Sequence, residues 1–279
     1  MILERFERDV IMQEHNLYEI VIHHVSDHVL EGGFIGWLNQ NLLSTKLFGI
    51  FDMRITKFVL MLWIAAFLCI LIFVPLARTI KKNKYGSKSR WINMWEFIIS
   101  FVYNGIVEPN FSGENRKKVV PYFLSLFFFI IFANYLGMIP GFATATGNLA
   151  VTGGLALCTF FAVIAAGFIK HGPLWIVTGI VPRGIPWPFF PLLWAIELMG
   201  LIIRPFSLTI RLFANMTAGH VVIIVFLFLI IMFQSYLVGI GSVAGALLIN
   251  FLELLVALIQ AYIFTLLSAM YIGEAMDSH

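Results

Sequence analysis

A single arginine, Arg211, lies between two long apolar segments with no acidic residue close to it in the sequence. Its guanidinium stays protonated in proteins, and an arginine near the middle of a membrane helix costs about 2.5–3.5 kcal/mol on insertion scales. A charge that is costly to place at such a depth indicates a function. The chemistry open to a fixed cation is electrostatic, because it can attract and stabilise an anionic group.

Arg211 belongs to a polar stripe of a predicted helix. Glu197, Arg204 and Arg211 follow one another at intervals of seven residues, which keeps them within about 40 degrees of one another around an α-helix. Ser207 and Asn215 lie four residues before and after Arg211. Glu197 and Arg204 could also neutralise each other or extend to the membrane surface, so a structural and a functional interpretation both stay open for them.

A histidine and a glutamate form a second candidate site. His220 follows Arg211 by nine residues, about 13 Å along a helix, and Glu253 precedes Gln260 by seven residues, about 10 Å. If the two helices are antiparallel and Arg211 faces Gln260, then His220 meets Glu253. A buried carboxylate beside an imidazole can pass protons. The alternative is a hydrogen-bonded pair that only joins two helices.

The composition is that of an integral membrane protein. Of the 279 residues, 60% are hydrophobic and 12% are charged, and the mean hydropathy is +0.92. The formal net charge of +3 is small and the basic residues are grouped in short loops, so we expect no nucleic-acid partner. Cys69 and Cys158 lie far apart in apolar segments, which predicts packing rather than a disulfide framework.

We predict no metal and no cofactor. His24 and His28 are four residues apart, a spacing that could bind zinc on a helix, and His23 is adjacent. A third clear zinc ligand is missing. His171 lies in a basic loop and is expected to be solvated. The sequence contains no GxxxxGK[ST], HExxH or GxSxG motif, so we expect no bound nucleotide and no bond chemistry by this chain alone.

The first half of the chain supplies three predicted membrane spans, each about 20 apolar residues long as a bilayer requires. They cover approximately residues 58–77, 119–138 and 149–169. Between the first two, residues 91–107 carry an apolar stripe at helical spacing, which predicts an interfacial amphipathic helix. No repeat of the second half is visible there.

The second half predicts two long helices. Residues 189–233 contain only three fixed charges, and as one helix they would measure about 67 Å, twice the hydrocarbon thickness of about 30 Å. We therefore predict a long, strongly tilted helix with Pro205 as the candidate kink. Gly239, Gly241 and Gly245 predict the following turn, and residues 247–271 the last span.

Basic residues set the predicted orientation. A cluster follows the first span, and the positive-inside rule places it in the cytoplasm; it comprises Arg78, Lys81, Lys82, Lys84, Lys88 and Arg90. Five crossings then put the N-terminus outside and the C-terminus inside. The expected organisation is a polar or interfacial segment over residues 1–50 outside, and a single all-α membrane domain over 51–279, with a tilted helical hairpin at about 189–272.

Two motifs resemble those of a known family. The segment RPFSLTIRLFANMTAGH, from Arg204 to His220, and the segment ELLVALIQAYIFTLLSAMYI, from Glu253 to Ile272, are similar to the two signature helices of subunit a of F-type ATP synthases. The resemblance extends more loosely through FIIFANYLGMIPG, residues 129–141. It covers about residues 57–274, whereas the first 50 residues contribute little.

The resemblance implies a stator subunit of the membrane (Fo) sector that lies beside a rotating ring of c subunits. Its partners would be this c-ring, the peripheral-stalk subunit b and the lipid bilayer, in a bacterial plasma membrane. The family's essential arginine corresponds to Arg211, its mid-membrane glutamine to Gln260 and its asparagine to Asn215. Such a subunit is no enzyme by itself but the proton-translocating part of a two-sector ATPase.

The resemblance also implies two aqueous half-channels that Arg211 separates. With the orientation given above, the outer half-channel would contain His220, Glu253 and Gln260. The inner one would contain Glu197, Ser207 and Asn215. The arrangement of acid and imidazole, with His220 on the first signature helix and Glu253 on the second, is opposite to that of the enterobacterial form.

Two other classes of protein compete with this interpretation. A stand-alone ion or anion transporter would use Arg211 to bind a substrate carboxylate or phosphate, although many secondary transporters contain inverted repeats that are not visible here. A purely structural scaffold would leave Arg211, His220, Glu253 and Gln260 without a purpose.

Overall fold

The computed structural model describes residues 56–82, 90–139, 142–172, 175 and 189–277. These residues are predominantly helical and include no β-strand. The main helices are α1 (Lys57–Lys82), α2 (Arg90–Val102), α3 (Gly113–Gly137), α4 (Leu149–His171), α5 (Phe190–Phe233) and α6 (Tyr236–Asp277). Within the described residues, five helices are long and apolar enough to cross a membrane. The predicted all-α membrane fold is confirmed.

The helix predicted over residues 91–107 is present as α2 and its continuation. Trp91, Phe97 and Phe101 are exposed, whereas Trp95 and Val102 are buried, so one side of α2 packs against the protein. Its interfacial position stays a prediction. The chain then continues through a π-helical turn, Tyr103–Val107, and a short α-helical turn, Glu108–Asn110.

Helix α5 is continuous over 44 residues and includes Pro205 in its interior. Proline has no N–H to donate, which removes one backbone hydrogen bond at this point. The hydroxyl of Thr209 donates to the carbonyl of Pro205 at 2.9 Å. Despite the missing backbone bond at Pro205, the long apolar segment forms one helix, as predicted.

The predicted turn after this helix was placed wrongly. The chain reverses at Gln234 and Ser235, and Gln234 adopts a positive φ of 45°. Gly239, Gly241 and Gly245 all lie inside α6. At Gly245 the reason is packing, because an added Cβ would lie 2.6 Å from the ring of Phe226.

The described residues belong to two compact units. The first contains the start of α1, residues 133–148 and residues 214–256. In it, the hydroxyl of Thr146 donates to Oδ1 of Asn134 at 2.6 Å, and both side chains are fully buried. This hydrogen bond links the end of α3 to the turn before α4, and the bond satisfies two polar groups that would otherwise be costly to bury.

The second unit contains residues 66–132, 149–213 and 257–279. Phe73, Trp95 and Phe128 pack their rings at centroid distances of 4.4–5.7 Å. On α6, Ala257, Ala261 and Ala269 are buried, together with Thr265 and Ser268. Such small side chains allow close helix packing where lipid provides no hydrophobic drive.

The domain boundaries expected from the sequence stay a prediction. Residues 1–50, with His23, His24 and His28, lie outside the described residues.

Candidate ion-path site

His220 of α5 and Glu253 of α6 lie together in the first unit. Nε2 of His220 is 3.8 Å from Oε1 of Glu253, and the Glu253 side chain is only 5% exposed. No group in the described part of the chain donates a hydrogen bond to either carboxylate oxygen. A buried carboxylate needs a proton or a nearby cation for stability, and the imidazole is placed to supply either one.

Gly219 makes the close approach of this pair possible. A Cβ added at Gly219 would lie 2.6 Å from the carboxyl carbon and from Oε1 of Glu253. Any larger side chain would push the carboxyl group away from α5. Gly219 leaves room for the Glu253 carboxyl group against α5, and the next residue, His220, places its imidazole beside that group.

Thr144 is a contact of His220 that the sequence analysis missed. Its hydroxyl is hydrogen-bonded to Nε2 of His220, the same nitrogen that faces Glu253. Thr144 is buried and lies in the segment between α3 and α4. The polar run Thr-Ala-Thr between two apolar spans was the available signal, but nothing in it indicates which helix it contacts.

His220 also borders a cavity of about 450 Å³ in the first unit. The wall is mainly apolar, and its polar members are Thr144, Thr217, His220 and Asn250. The hydroxyl of Thr217 is buried without a hydrogen-bond partner in the described part of the chain. A cavity of this size with convergent polar groups can hold water beside the imidazole.

Arg211 lies in the second unit and its side chain is exposed, whereas its neighbours Leu208 and Leu212 are fully buried. Helix α5 therefore packs its leucine face inward and turns Arg211 outward. Among the described residues, no acidic side chain forms an ion pair with Arg211. As far as the described residues go, the arginine thus presents an unpaired cation on the surface of α5.

Gln260 of α6 is buried, and its amide nitrogen has no hydrogen-bond acceptor in the described part of the chain. No hydrogen bond joins it to Arg211 in this structure. Of the other predicted residues, Ser207 is exposed and Asn215 is half-buried on α5.

Arg204 pairs with a residue that the sequence analysis did not select. Its two terminal nitrogens contact the two carboxylate oxygens of Glu274 at 2.7 and 3.3 Å, and its guanidinium lies 4.9 Å from the ring centre of Tyr271. Glu197 lines a small cavity of about 40 Å³ together with Arg204, Tyr271 and Glu274. The polar stripe therefore reaches α6 at this end of the hairpin.

No group of three or more potential metal ligands occurs among the residues that the structure describes. Neither a metal nor a cofactor enters the chemistry derived below.

In the part of the chain that the structure describes, five helices long and apolar enough to cross a membrane define a multi-pass membrane protein. Residues 59–273 match the family described as ATP synthase A chain. This chain belongs to that family, whose place is in the stator of the membrane sector of ATP synthase.

Individual proteins of similar sequence indicate the same family. The chain is 40% identical to "ATP synthase subunit a" of Chloroherpeton thalassium over 261 residues, which cover 91% of this chain and 76% of the relative. It is 38% identical to "ATP synthase subunit a 2" of Chlorobaculum tepidum, with 94% and 74% covered. With "ATP synthase subunit a" of Myxococcus xanthus it shares 42% identity, with 83% and 76% covered.

Proposed function

We propose that this chain provides two ion half-channels and a separating arginine, and so couples proton flow across the membrane to rotation of the c-ring and to ATP synthesis. The observation that carries the proposal is the exposed Arg211, a fixed cation with no acidic partner in the described part of its own chain. Its partner would then be the carboxylate of a passing c subunit.

The electrostatics explain why such a partner must be transient. Two opposite charges 4 Å apart attract with about 4 kcal/mol at an effective dielectric constant of 20. This attraction favours the ionised carboxylate, so the rotor subunit releases its proton on one side of Arg211 and takes up another on the other side. A permanent acid beside Arg211 would quench this effect. Gln260 would compete for the carboxylate and keep the contact reversible.

The outer half-channel is assigned to His220, Glu253 and Gln260. Support comes from the distance of 3.8 Å between His220 and Glu253 and from the cavity beside His220. At this separation a small side-chain movement brings the imidazole and the carboxyl group to the distance of about 2.6–3.2 Å at which a proton passes between them.

The inner half-channel is assigned to Glu197, Ser207 and Asn215. Support comes from the small cavity that Glu197 lines. With the basic cluster after α1 in the cytoplasm, the N-terminus would lie outside and the C-terminus inside the plasma membrane of a bacterium. Subunit b of the peripheral stalk and the c-ring are the proposed protein partners.

The test is the variant Arg211→Ala in the complete ATP synthase, assayed in inverted membrane vesicles. We expect loss of ATP-driven proton pumping and of proton-driven ATP synthesis, with the amount of assembled complex unchanged. The matched control is Arg116→Ala, which removes another arginine that pairs with Glu108 at 3.4 Å. Coupled pumping at the wild-type rate in Arg211→Ala would refute the proposal.

A further inference from the structure

The hydroxyl of Thr144 shares one nitrogen of His220 with Glu253. Nε2 accepts or donates a hydrogen bond with Thr144, and the same atom is 3.8 Å from Oε1 of Glu253. A hydroxyl group can both donate and accept a hydrogen bond, and its hydrogen rotates to suit the partner. Thr144 can therefore stay bonded to Nε2 whether or not this nitrogen carries a proton.

The position of Thr144 is fixed by its surroundings. The side chain is 7% exposed, and it occupies the space that a Cβ on Gly137 would need. The carbonyl of Thr144 accepts a hydrogen bond from the N–H of Gly147 at 2.9 Å, at the start of the turn Ala145–Gly147. The hydroxyl therefore acts on His220 from a rigid support.

We propose that Thr144 is a positioning residue for proton transfer at His220. Its hydroxyl holds the imidazole in the orientation in which Nε2 faces Glu253. This inference rests on the outer half-channel proposed above and adds a member from outside the two signature helices.

The proton balance of the step is simple. When Nε2 of the imidazolium gives its proton to Oε1 of Glu253, the ring becomes neutral and the carboxylate becomes a carboxylic acid. Before the transfer, Thr144 accepts a hydrogen bond from Nε2–H. This bond breaks as the proton passes to Oε1 of Glu253, and the Thr144 hydroxyl then donates a hydrogen bond to the bare nitrogen through its own hydrogen. Thr144 carries one hydroxyl proton before and after the transfer, so it can take part in each successive proton transfer unchanged.

The test measures passive proton conductance in vesicles that contain the complete membrane sector after removal of the soluble sector. Thr144→Val keeps the shape of the side chain but removes the hydroxyl, and Thr144→Ser keeps the hydroxyl. Because one hydrogen bond to an ionisable group changes the population of an oriented ring by about tenfold, we expect conductance to fall five- to tenfold in the Val variant. We expect the Ser variant to retain at least half of the wild-type conductance.

The matched control is Thr146→Val, two residues away. Its hydroxyl is also buried, but it bonds to Asn134 and not to His220. If Thr146→Val lowers conductance per assembled complex as much as Thr144→Val does, the effect belongs to the folding of this turn and the inference is overturned. If Thr144→Val does not assemble, Thr144→Ala removes the hydroxyl without filling the site, and the same comparison with Thr144→Ser applies.

The variant His220→Ala separates the two proposals. Impaired conductance in His220→Ala with unchanged conductance in Thr144→Val would overturn the role of Thr144 alone. Unchanged conductance in His220→Ala would overturn the outer half-channel, and the role of Thr144 with it. Impairment of both, with recovery in Thr144→Ser, supports the inference.

Discussion

Arg204 of α5 and Glu274 of α6 form a two-point ion pair, with 2.7 Å between one nitrogen and one carboxylate oxygen and 3.3 Å between the other two atoms. The planar guanidinium also covers the ring of Tyr271. Two-point pairing fixes direction as well as distance. This contact joins the first half of α5 to the last turn of α6 within the second unit.

We expect this pair to contribute through geometry more than through energy. Glu274 is 59% exposed, and exposed ion pairs are worth about 0–1 kcal/mol. Glu274→Gln should therefore lower the thermal stability of the detergent-solubilised complex only slightly. Arg204→Ala should lower it more, because it also removes the contact with Tyr271. Equal effects of the two variants on the melting temperature would contradict this account.

The pairing of His220 with Glu253 predicts what happens when these two residues are exchanged with each other. The double variant His220→Glu with Glu253→His keeps one acid and one imidazole at the site, so it should retain more ATP-driven proton pumping than His220→Ala or Glu253→Ala. The measurement is the rate of pumping per assembled complex in inverted vesicles. An equal loss in all three variants would argue against a paired relay.

Gly219 offers a steric test of the same pair. Gly219→Ala places a methyl group about where the Glu253 carboxyl group lies, so the carboxyl group must move away from His220. We expect a clear decrease in passive proton conductance. The control is Gly154→Ala on α4, where an added Cβ meets nothing within 4 Å. If the proton conductance of Gly219→Ala equals that of Gly154→Ala, proton transfer does not depend on the close contact of Glu253 with α5.

The turn between α5 and α6 allows a prediction about stability. Gln234 has a φ of 45°, a left-handed conformation that costs non-glycine residues about 1–2 kcal/mol. Gln234→Gly should therefore stabilise the turn or leave it unchanged, whereas the β-branched Gln234→Val should destabilise it. Thermal unfolding of the purified complex would measure both, and a lower melting temperature for the glycine variant than for the valine variant would be inconsistent with this turn.

The sequence predicted the number and the approximate positions of the membrane helices, because a long apolar segment of about 20 residues or more forms a helix in a membrane. It did not predict where the last helix begins. It also paired His220 with Glu253, since antiparallel helices of known rise place residues at matching depths. The turn at Gln234 was missed because glycine was taken as a mark of chain reversal. Gly245 instead lies within α6 and makes room for Phe226.

The missed contacts are those that depend on tertiary packing. Glu274 is seventy residues from Arg204 and lies on another helix, so the seven-residue spacing that connects Arg204 with Glu197 could not indicate it. Thr144 is likewise brought to His220 by the segment between α3 and α4, and no periodicity in that segment points to α5. Such contacts require the folded chain.

The central claim is that Arg211 keeps the two half-channels apart by meeting a carboxylate that is not part of this chain. Its most direct test is the passive proton leak through the membrane sector while the c-ring is cross-linked to the stator and cannot rotate. With the ring locked, the wild type should pass almost no protons, whereas Arg211→Ala should leak because nothing separates the two paths. If the proton leak of Arg211→Ala with a locked ring is as small as that of the locked wild type, Arg211 is not the barrier between the two half-channels.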